Sequence, residues 1–225
     1  MSGWPDNFDF ATDPVCQDIF KPFIESEMKA LEEYGAQRPA DTNYIFHEHA
    51  ARVANDVQNT CLHMGLGKIV ANNMYWALLP HDIGKKNLPP DIWDTEDKPA
   101  EPLKKLRRTH TLLGAQIVQE YFPDIQHPFK DLMIAIMAGH HEQMDGNGTH
   151  GVPGEKLSLP VRLASIVEAY DGWRTWRPHY GDRDITIPGV LGRMRKEKGP
   201  AFFDMALFEA FAEMKMNAYN KGLEQ

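Results

Sequence analysis

The sequence predicts an all-α protein, and three observations carry that expectation. Apolar residues recur at helical spacing in one segment after another. The ends of those segments carry helix punctuation, such as Gly65 after one and Pro128 and Pro160 at the starts of two others. No run alternates apolar and polar residues as a strand does, and there is neither a repeat nor a low-complexity tract.

Residues 1–14 are rich in Gly, Pro, Asp and Asn and read as an irregular lead-in. From Val15 to Tyr34 the residues Val15, Ile19, Phe20, Phe23, Ile24, Met28 and Leu31 mark one helix face, and Gly35 supplies the stop. A polar linker, "GAQRPADTN", follows. Helical patterns then run over about 46–64, 69–80, 103–122, 128–143, 160–176, 187–198 and 203–220, the last with Asp204 as its N-cap. Two loops interrupt them, "KKNLPPDIWDTEDKPAEP" and the glycine-rich "EQMDGNGTHGVPGEKLSLP". The expected organisation is a lead-in and helix over 1–40 and one domain over 41–225.

The 225 residues are 42% hydrophobic and 25% charged, an ordinary globular composition. A net charge of −8 argues against binding long nucleic acid, which calls for a basic footprint. A small anionic substrate stays compatible, because a metal or a local cluster of cations overrides the global sign. Only Cys16 and Cys61 are present, which argues against a disulfide framework and for a reducing cytosol. The first residues lack the basic-then-apolar pattern of a signal peptide, and no apolar run approaches the roughly 20 residues of a spanning helix. A soluble, cytoplasmic protein without membrane partners is expected.

Ten histidines are the most informative feature. His47, His63 and His127 read as surface or capping residues, and "KKLRR" over 104–108 as a solvated helix face. Others stand where a buried helix meets a loop: His49 opens "HAARVANDV", His81 and Asp82 follow "MYWALLP", His110 opens "HTLLGAQIV", and His140 and His141 follow "LMIAIMAG". Imidazoles with a carboxylate or two suit iron, manganese or zinc rather than calcium or magnesium. A carboxylate has two oxygens and can bridge two ions, so the adjacent His81 and Asp82 would be the hinge of a metal site.

These segments resemble a known family. "HAARVA", "HDIGKKNLPPDIW", "HTLLGAQIV", "HHEQMDGNGTHG" and "LPVRLASIVEAYDGWRTWRP" occur in the order and approximate spacing of the HD-GYP branch of the HD-domain metal-dependent phosphohydrolases, across about 44–215. The resemblance implies an HD-domain helical bundle with a dinuclear centre of two divalent transition-metal ions, usually iron or manganese. By the same resemblance, His49, His81 and Asp82 would hold the first ion, with Glu168 of "VEAYD" where the family has an aspartate. Asp82 would bridge to a second ion held by His110, His140 and His141. Lys85 and Arg177 would contact the phosphate, and Gly148 and His150 would stand in the substrate-facing loop. The implied activity is hydrolysis of a cyclic dinucleotide, cyclic di-GMP or a related nucleotide, by metal-activated hydroxide, with Asp82 and Lys85 as the catalytic pair.

The chain also departs from the family pattern. The Gly-Tyr-Pro signature reads Gly148-Thr149-His150, which keeps a glycine but loses an aromatic ring and a rigid proline. A looser loop and weaker turnover of cyclic di-GMP are expected from that change. "RPHY" replaces a basic phosphate partner with Tyr180. Ile45 stands where some members carry a glutamate for a third metal, which favours two ions. A di-iron oxygenase on the same fold and a catalytically weak nucleotide-binding signalling module are the alternatives.

Overall fold

A computed structural model describes residues 3–177 and 180–223, so Pro178 and His179 of "RPHY" lie outside the described residues. Among the described residues there is no strand. The helices are α1 (Lys21–Gly35), α2 (Phe46–His63), α3 (Gly67–Leu78), α4 (Glu101–Arg108), α5 (His110–Tyr121), α6 (Pro128–Gly139), α7 (Leu159–Arg174), α8 (Ile187–Arg193), α9 (Gly199–Phe202) and α10 (Met205–Asn220). No described helix is long and apolar enough to cross a membrane. All-α is therefore the fold class.

The core is one continuous apolar cluster. Val53 and Val57 of α2, Met74 and Leu78 of α3, Met133 and Ile136 of α6, Ile166 of α7 and Phe208 and Phe211 of α10 all sit fully buried within it. Each helix contributes residues spaced three or four apart, the period that brings side chains onto one face. The lead-in joins the same cluster through Phe10, Cys16, Phe20 and Ile24. Buried Asn73 of α3 fixes it there: its amide donates to the carbonyls of Pro5 (2.8 Å) and Phe8 (2.7 Å) and accepts from the Phe10 amide (2.8 Å). An irregular segment has no ladder of its own, and buried backbone groups left unmade cost about 1–3 kcal/mol each.

Several boundaries differ from the periodicity. The segment expected as one helix over 103–122 breaks at Thr109 into α4 and α5. Three consecutive side chains cause the break by taking carbonyls the helix would use: Thr109 Oγ1 bonds Leu106 O, His110 Nδ1 bonds Arg107 O, and Thr111 Oγ1 bonds Arg108 O. α6 ends at Gly139, short of the expected 143, so His140 and His141 leave the helix at its tip. The first helical stretch opens with a π-helical turn over Cys16–Phe20, and α8 closes into another over Met194–Lys198.

One backbone contact sets the position of the site. After α3, a 3-10 turn over Ile83–Asn87 crosses the start of α5. A Cβ on Gly84 would lie 2.0 Å from the His110 carbonyl oxygen and 2.4 Å from the Gly114 nitrogen, so only glycine permits this approach.

Candidate metal centre

His81 and Asp82 are not on a helix at all, which resolves the oddity of adjacent ligands that a helix would splay by about 100°. Pro80 follows α3 and lacks the amide to extend it. The chain then makes tight turns, His81 N to Leu78 O (2.9 Å) and Ile83 N to Pro80 O (3.1 Å). Asp82 sits at φ −101, ψ 4, the bridge region where active-site residues are often found. Both side chains are fully buried and bring ligand atoms within 4.8 Å of one another and of one on His49 of α2.

The imidazoles share one arrangement. His49 Nδ1 faces Asp171 Oδ2 (2.6 Å), His81 Nδ1 faces Leu78 O (2.9 Å), His110 Nδ1 faces Arg107 O (2.6 Å) and His140 Nδ1 faces Ile136 O (3.2 Å). A carbonyl or carboxylate only accepts, so each Nδ1 carries the proton and each Nε2 presents a lone pair inward. His49 Nε2, His81 Nε2, Asp82 Oδ1 and Glu168 Oε2 are buried without a hydrogen-bond partner among the described residues. His49 Nε2 lies 2.8 Å from Glu168 Oε2, yet the two point at a common centre rather than along a hydrogen bond. Orphaned inward lone pairs of this kind are costly unless a cation satisfies them.

Two groups of ligand atoms result. His49, His81 and Asp82 form one, with Glu168 of α7 beside them, 2.8 Å from His49 Nε2 and 3.3 Å from His81 Nε2. His110, His140 and His141 form the other. His110 Nε2 and His140 Nε2 stand 3.1 Å apart, and Asp82 Oδ1 reaches His110 Nε2 at 3.1 Å and His140 Nε2 at 3.8 Å. Asp82 thus touches both groups with its two oxygens. The donor set of nitrogen and carboxylate oxygen fits divalent transition metals.

The electrostatics agree with that fit. Burial opposes the charge on Asp82, but Lys85 and the histidines around it hold its carboxyl well below the ordinary value. Glu168 is likewise held low by His49 against its burial. Burial keeps His140 neutral and pushes His141 down to about 3, the state a metal ligand requires. Burial works against a charge on His49 too, yet Glu168 and Asp171 outweigh it and raise the ring to about 9. A cation arriving at His49 therefore displaces a proton.

Lys85, expected from the resemblance as a phosphate contact, is buried beside the ligand groups. It bonds Asp82 directly and donates to the Tyr44 hydroxyl at 3.0 Å. Arg177 stacks its guanidinium on the other partner, 4.6 Å from the Tyr44 ring centre. Gly148 and His150 find their nearest partners within the protein. A Cβ on Gly148 would meet Glu142 Cα at 2.5 Å, and His150 Nε2 is 2.9 Å from Thr111 Oγ1. The glycine-rich loop, expected to be looser for its altered signature, carries polar bonds to its neighbours. The buried Glu142 carboxylate accepts the amides of His150 (2.6 Å) and Val152 (2.8 Å), and Arg108 donates to Thr149 Oγ1 (3.1 Å). Threonine and histidine fasten the loop through polar bonds where a ring and a proline are missing.

Sequence reasoning missed Asp171, Tyr44 and Glu142. Asp171 orients His49 and takes Arg52 through both oxygens, at 2.7 and 3.0 Å. Its position three residues after Glu168 on α7 was the available signal, since residues three apart share a helix face. Tyr44 follows the polar linker and carried no periodic signal.

Residues 36–207 match the HD domain family, and the chain belongs to it. The HD-GYP resemblance of its motifs holds within that family. The chain is 26% identical over 188 residues to a 3'3'-cGAMP-specific phosphodiesterase of Vibrio cholerae, a match covering 83% of this chain and 41% of the relative. It is 29% identical over 138 residues to a cyclic di-GMP phosphodiesterase of Pseudomonas aeruginosa, covering 61% of this chain and 31% of that one. The chain thus spans less than half the length of these relatives. Among solved structures, an HDG"Y"P protein of Bdellovibrio bacteriovorus superposes with a TM-score of 0.64 at 16% identity, over 92% of this chain and 65% of that one. The HD domain of the L. monocytogenes phosphodiesterase PgpH, solved with cyclic-di-AMP, superposes with a TM-score of 0.58 at 14% identity, over 89% and 98%.

Proposed function

We propose that this chain is a metal-dependent phosphodiesterase that opens a cyclic dinucleotide, with iron or manganese as its ions and the cytoplasm as its compartment. The observation that carries this reading is the pairing of the two ligand groups with a buried cation, Lys85, that bonds the bridging Asp82. The curated relatives, named for cyclic di-GMP and 3'3'-cGAMP, support the substrate class. When bound, two divalent ions lower the pKa of an attacking water and neutralise phosphate oxygens.

The chain's own residues supply the rest. His49, His81, Asp82 and Glu168 would hold one ion, and Asp82, His110, His140 and His141 the other. Asp171 is the positioning residue for His49, since it fixes the tautomer whose lone pair faces inward. Lys85 would neutralise a phosphoryl oxygen as charge develops, and the Tyr44 hydroxyl holds that ammonium in place. Arg177 would clamp a second oxygen, and Gly148 and His150 would form the fixed wall on the far side. A cationic pair of this kind favours a phosphoester over oxygen activation, for which the site would have no need of Lys85 and Arg177.

The test is Asp82→Ala, with metal content and hydrolysis of cyclic di-GMP and cGAMP measured on the same anaerobic preparations. The expected wild-type content is two ions per chain, one for each ligand group. The variant is expected to lose occupancy at both sites and hydrolysis with it. A variant that keeps full metal content overturns the bridging role.

A further inference from the structure

Between the 36–45 linker and the loop that carries Trp93 lies a recess of about 410 Å³, walled by Tyr44, Trp93, Arg107, Trp176 and Arg177. It opens directly beside the metal centre. Tyr44 touches Lys85, and the Trp93 ring is 6.1 Å from the ring of His110. We propose that this recess is a nucleobase subsite, in which one purine of the substrate stacks on tryptophan while Arg177 and Arg107 take the phosphate attached to it. The proposal rests on the phosphodiesterase reading and deepens it by naming what determines affinity.

Four observations carry it. The first is the chemistry of the walls: two indoles supply ring surface of the kind on which bases stack, while the Tyr44 ring is already taken by Lys85 and Arg177. Two guanidinium groups offer donors to phosphate beside the carboxylates of Asp41, Asp94 and Glu96, of which Asp94 is paired with Arg38. The second is that Trp176 lines the recess, is 40% exposed and, among the described residues, joins neither apolar core cluster.

The third is the state of the arginines. Arg177 Nε is buried with no hydrogen-bond partner among the described residues. Arg107 has two of its nitrogens on Ile92 O and Thr95 Oγ1. Both guanidinium groups line the recess.

The fourth is that Trp93 is held ready. Its indole N–H donates to the Tyr34 hydroxyl (2.8 Å), which donates to Leu88 O (2.7 Å), and its ring meets the Phe46 ring at 5.3 Å. A platform fixed before binding loses little freedom when a ligand arrives. The volume sits near the lower end of small-molecule pockets, so the recess takes one nucleoside and leaves the second half of a dinucleotide outside.

The test uses the full chain loaded with manganese and isothermal titration calorimetry with two probes, GMP and ribose 5-phosphate. These share sugar and phosphate and differ only in the base. GMP is expected to bind at least about tenfold more tightly, as one stacked base implies. Trp93→Ala and Trp176→Ala are expected to remove most of that advantage, Trp176→Ala while leaving ribose 5-phosphate affinity within about twofold, and Trp93→Phe to retain it. Trp176→Ala changes an exposed ring, so its folding is not in question. Equal affinity for the two probes in the wild type overturns the subsite, as does an advantage that survives both alanine variants. Hydrolysis of cyclic di-GMP is read separately: base-dependent binding without hydrolysis sinks the phosphodiesterase reading alone, and hydrolysis without base-dependent binding sinks the subsite alone.

Discussion

Lys85 is an ammonium enclosed by rings. Its Nζ lies 4.9 Å from the ring centre of Tyr44, 4.8 Å from Phe46 and 5.5 Å from Trp93, and only 3% of the residue is exposed. A charge in such surroundings persists only if paired and faced by π electrons, and Asp82 and the three rings do both. Lys85→Ala is therefore expected to keep both ions and to lower kcat on cyclic di-GMP by about a hundredfold or more, the scale of a lost transition-state donor. Tyr44→Phe is expected to cost about tenfold through the loss of one hydrogen bond, again with metal content unchanged. Parallel loss of metal in either variant would reassign that residue to the architecture of the site. At this scale the sequence was legible wherever a side chain stands in a dense motif: all seven proposed ligands lie in the segments that carry the family resemblance. The roles of Asp171 and Tyr44 were not legible, although Asp171 stands in a motif segment three residues after Glu168, because their partners, His49 and Lys85, are 122 and 41 residues away.

Among the elements, the linker before α2 and the loop after Asn87 form a latch over the mouth of the centre. Arg38 has a side chain only 1% exposed, bonds Asp94 through Nε (2.8 Å) and a terminal nitrogen (2.6 Å), donates to Tyr44 O (2.7 Å) and lies 3.9 Å over the Phe46 ring. Burial opposes the Asp94 charge, but Arg38 and Thr42 hold its carboxyl below the ordinary 3.8. A folded-state value below the unfolded one contributes stability that is complete above 3.8 and disappears as pH falls through the lower value. The wild type is accordingly expected to lose melting temperature over that acid window more steeply than Asp94→Asn, which has no carboxylate to protonate. Identical acid profiles for the two proteins would show that the latch contributes nothing. Neither this latch nor the Thr109 break could be read from helical periodicity. Both arise where side chains capture backbone or distant partners, and a pattern of apolar residues is blind to such bonds. The same holds in the glycine-rich loop, where the buried Glu142 accepts two backbone amides that no apolar pattern announces.

For the molecule as a whole, the question is whether the lead-in and α1 unfold with the rest. Cys16 sits in the first segment and Cys61 near the end of α2; both are fully buried in one core, and burial pushes both thiols up to about 12. Protonated and shielded thiols react only after opening. Under native alkylation at mild pH, Cys16 and Cys61 are expected to become modified at the same rate, followed site by site by mass spectrometry. Faster modification of Cys16 would show the lead-in to be a separately opening unit. The all-α class followed from periodicity, because a helix that buries one face must repeat its apolar residues, but the count did not: eight segments were expected and ten α-helices form among the described residues. The docking of residues 3–15 did not follow, since Asn73 anchors them through hydrogen bonds that a polar residue inside an apolar helix does not announce.

The contact between Gly84 and the start of α5 acts on the two ligand groups as a gauge block acts on a machined gap. Asp82 stands two residues before Gly84, and His110 supplies the carbonyl that Gly84 meets. Side chains can change rotamer and loops can shift, but main chain pressed on main chain has no slack to take up. The separation between Asp82 and His110 is thereby machined into the backbone, and in the proposed centre Glu168 on α7 and His141 beyond α6 would be the jaws left to adjust to ions of different radius.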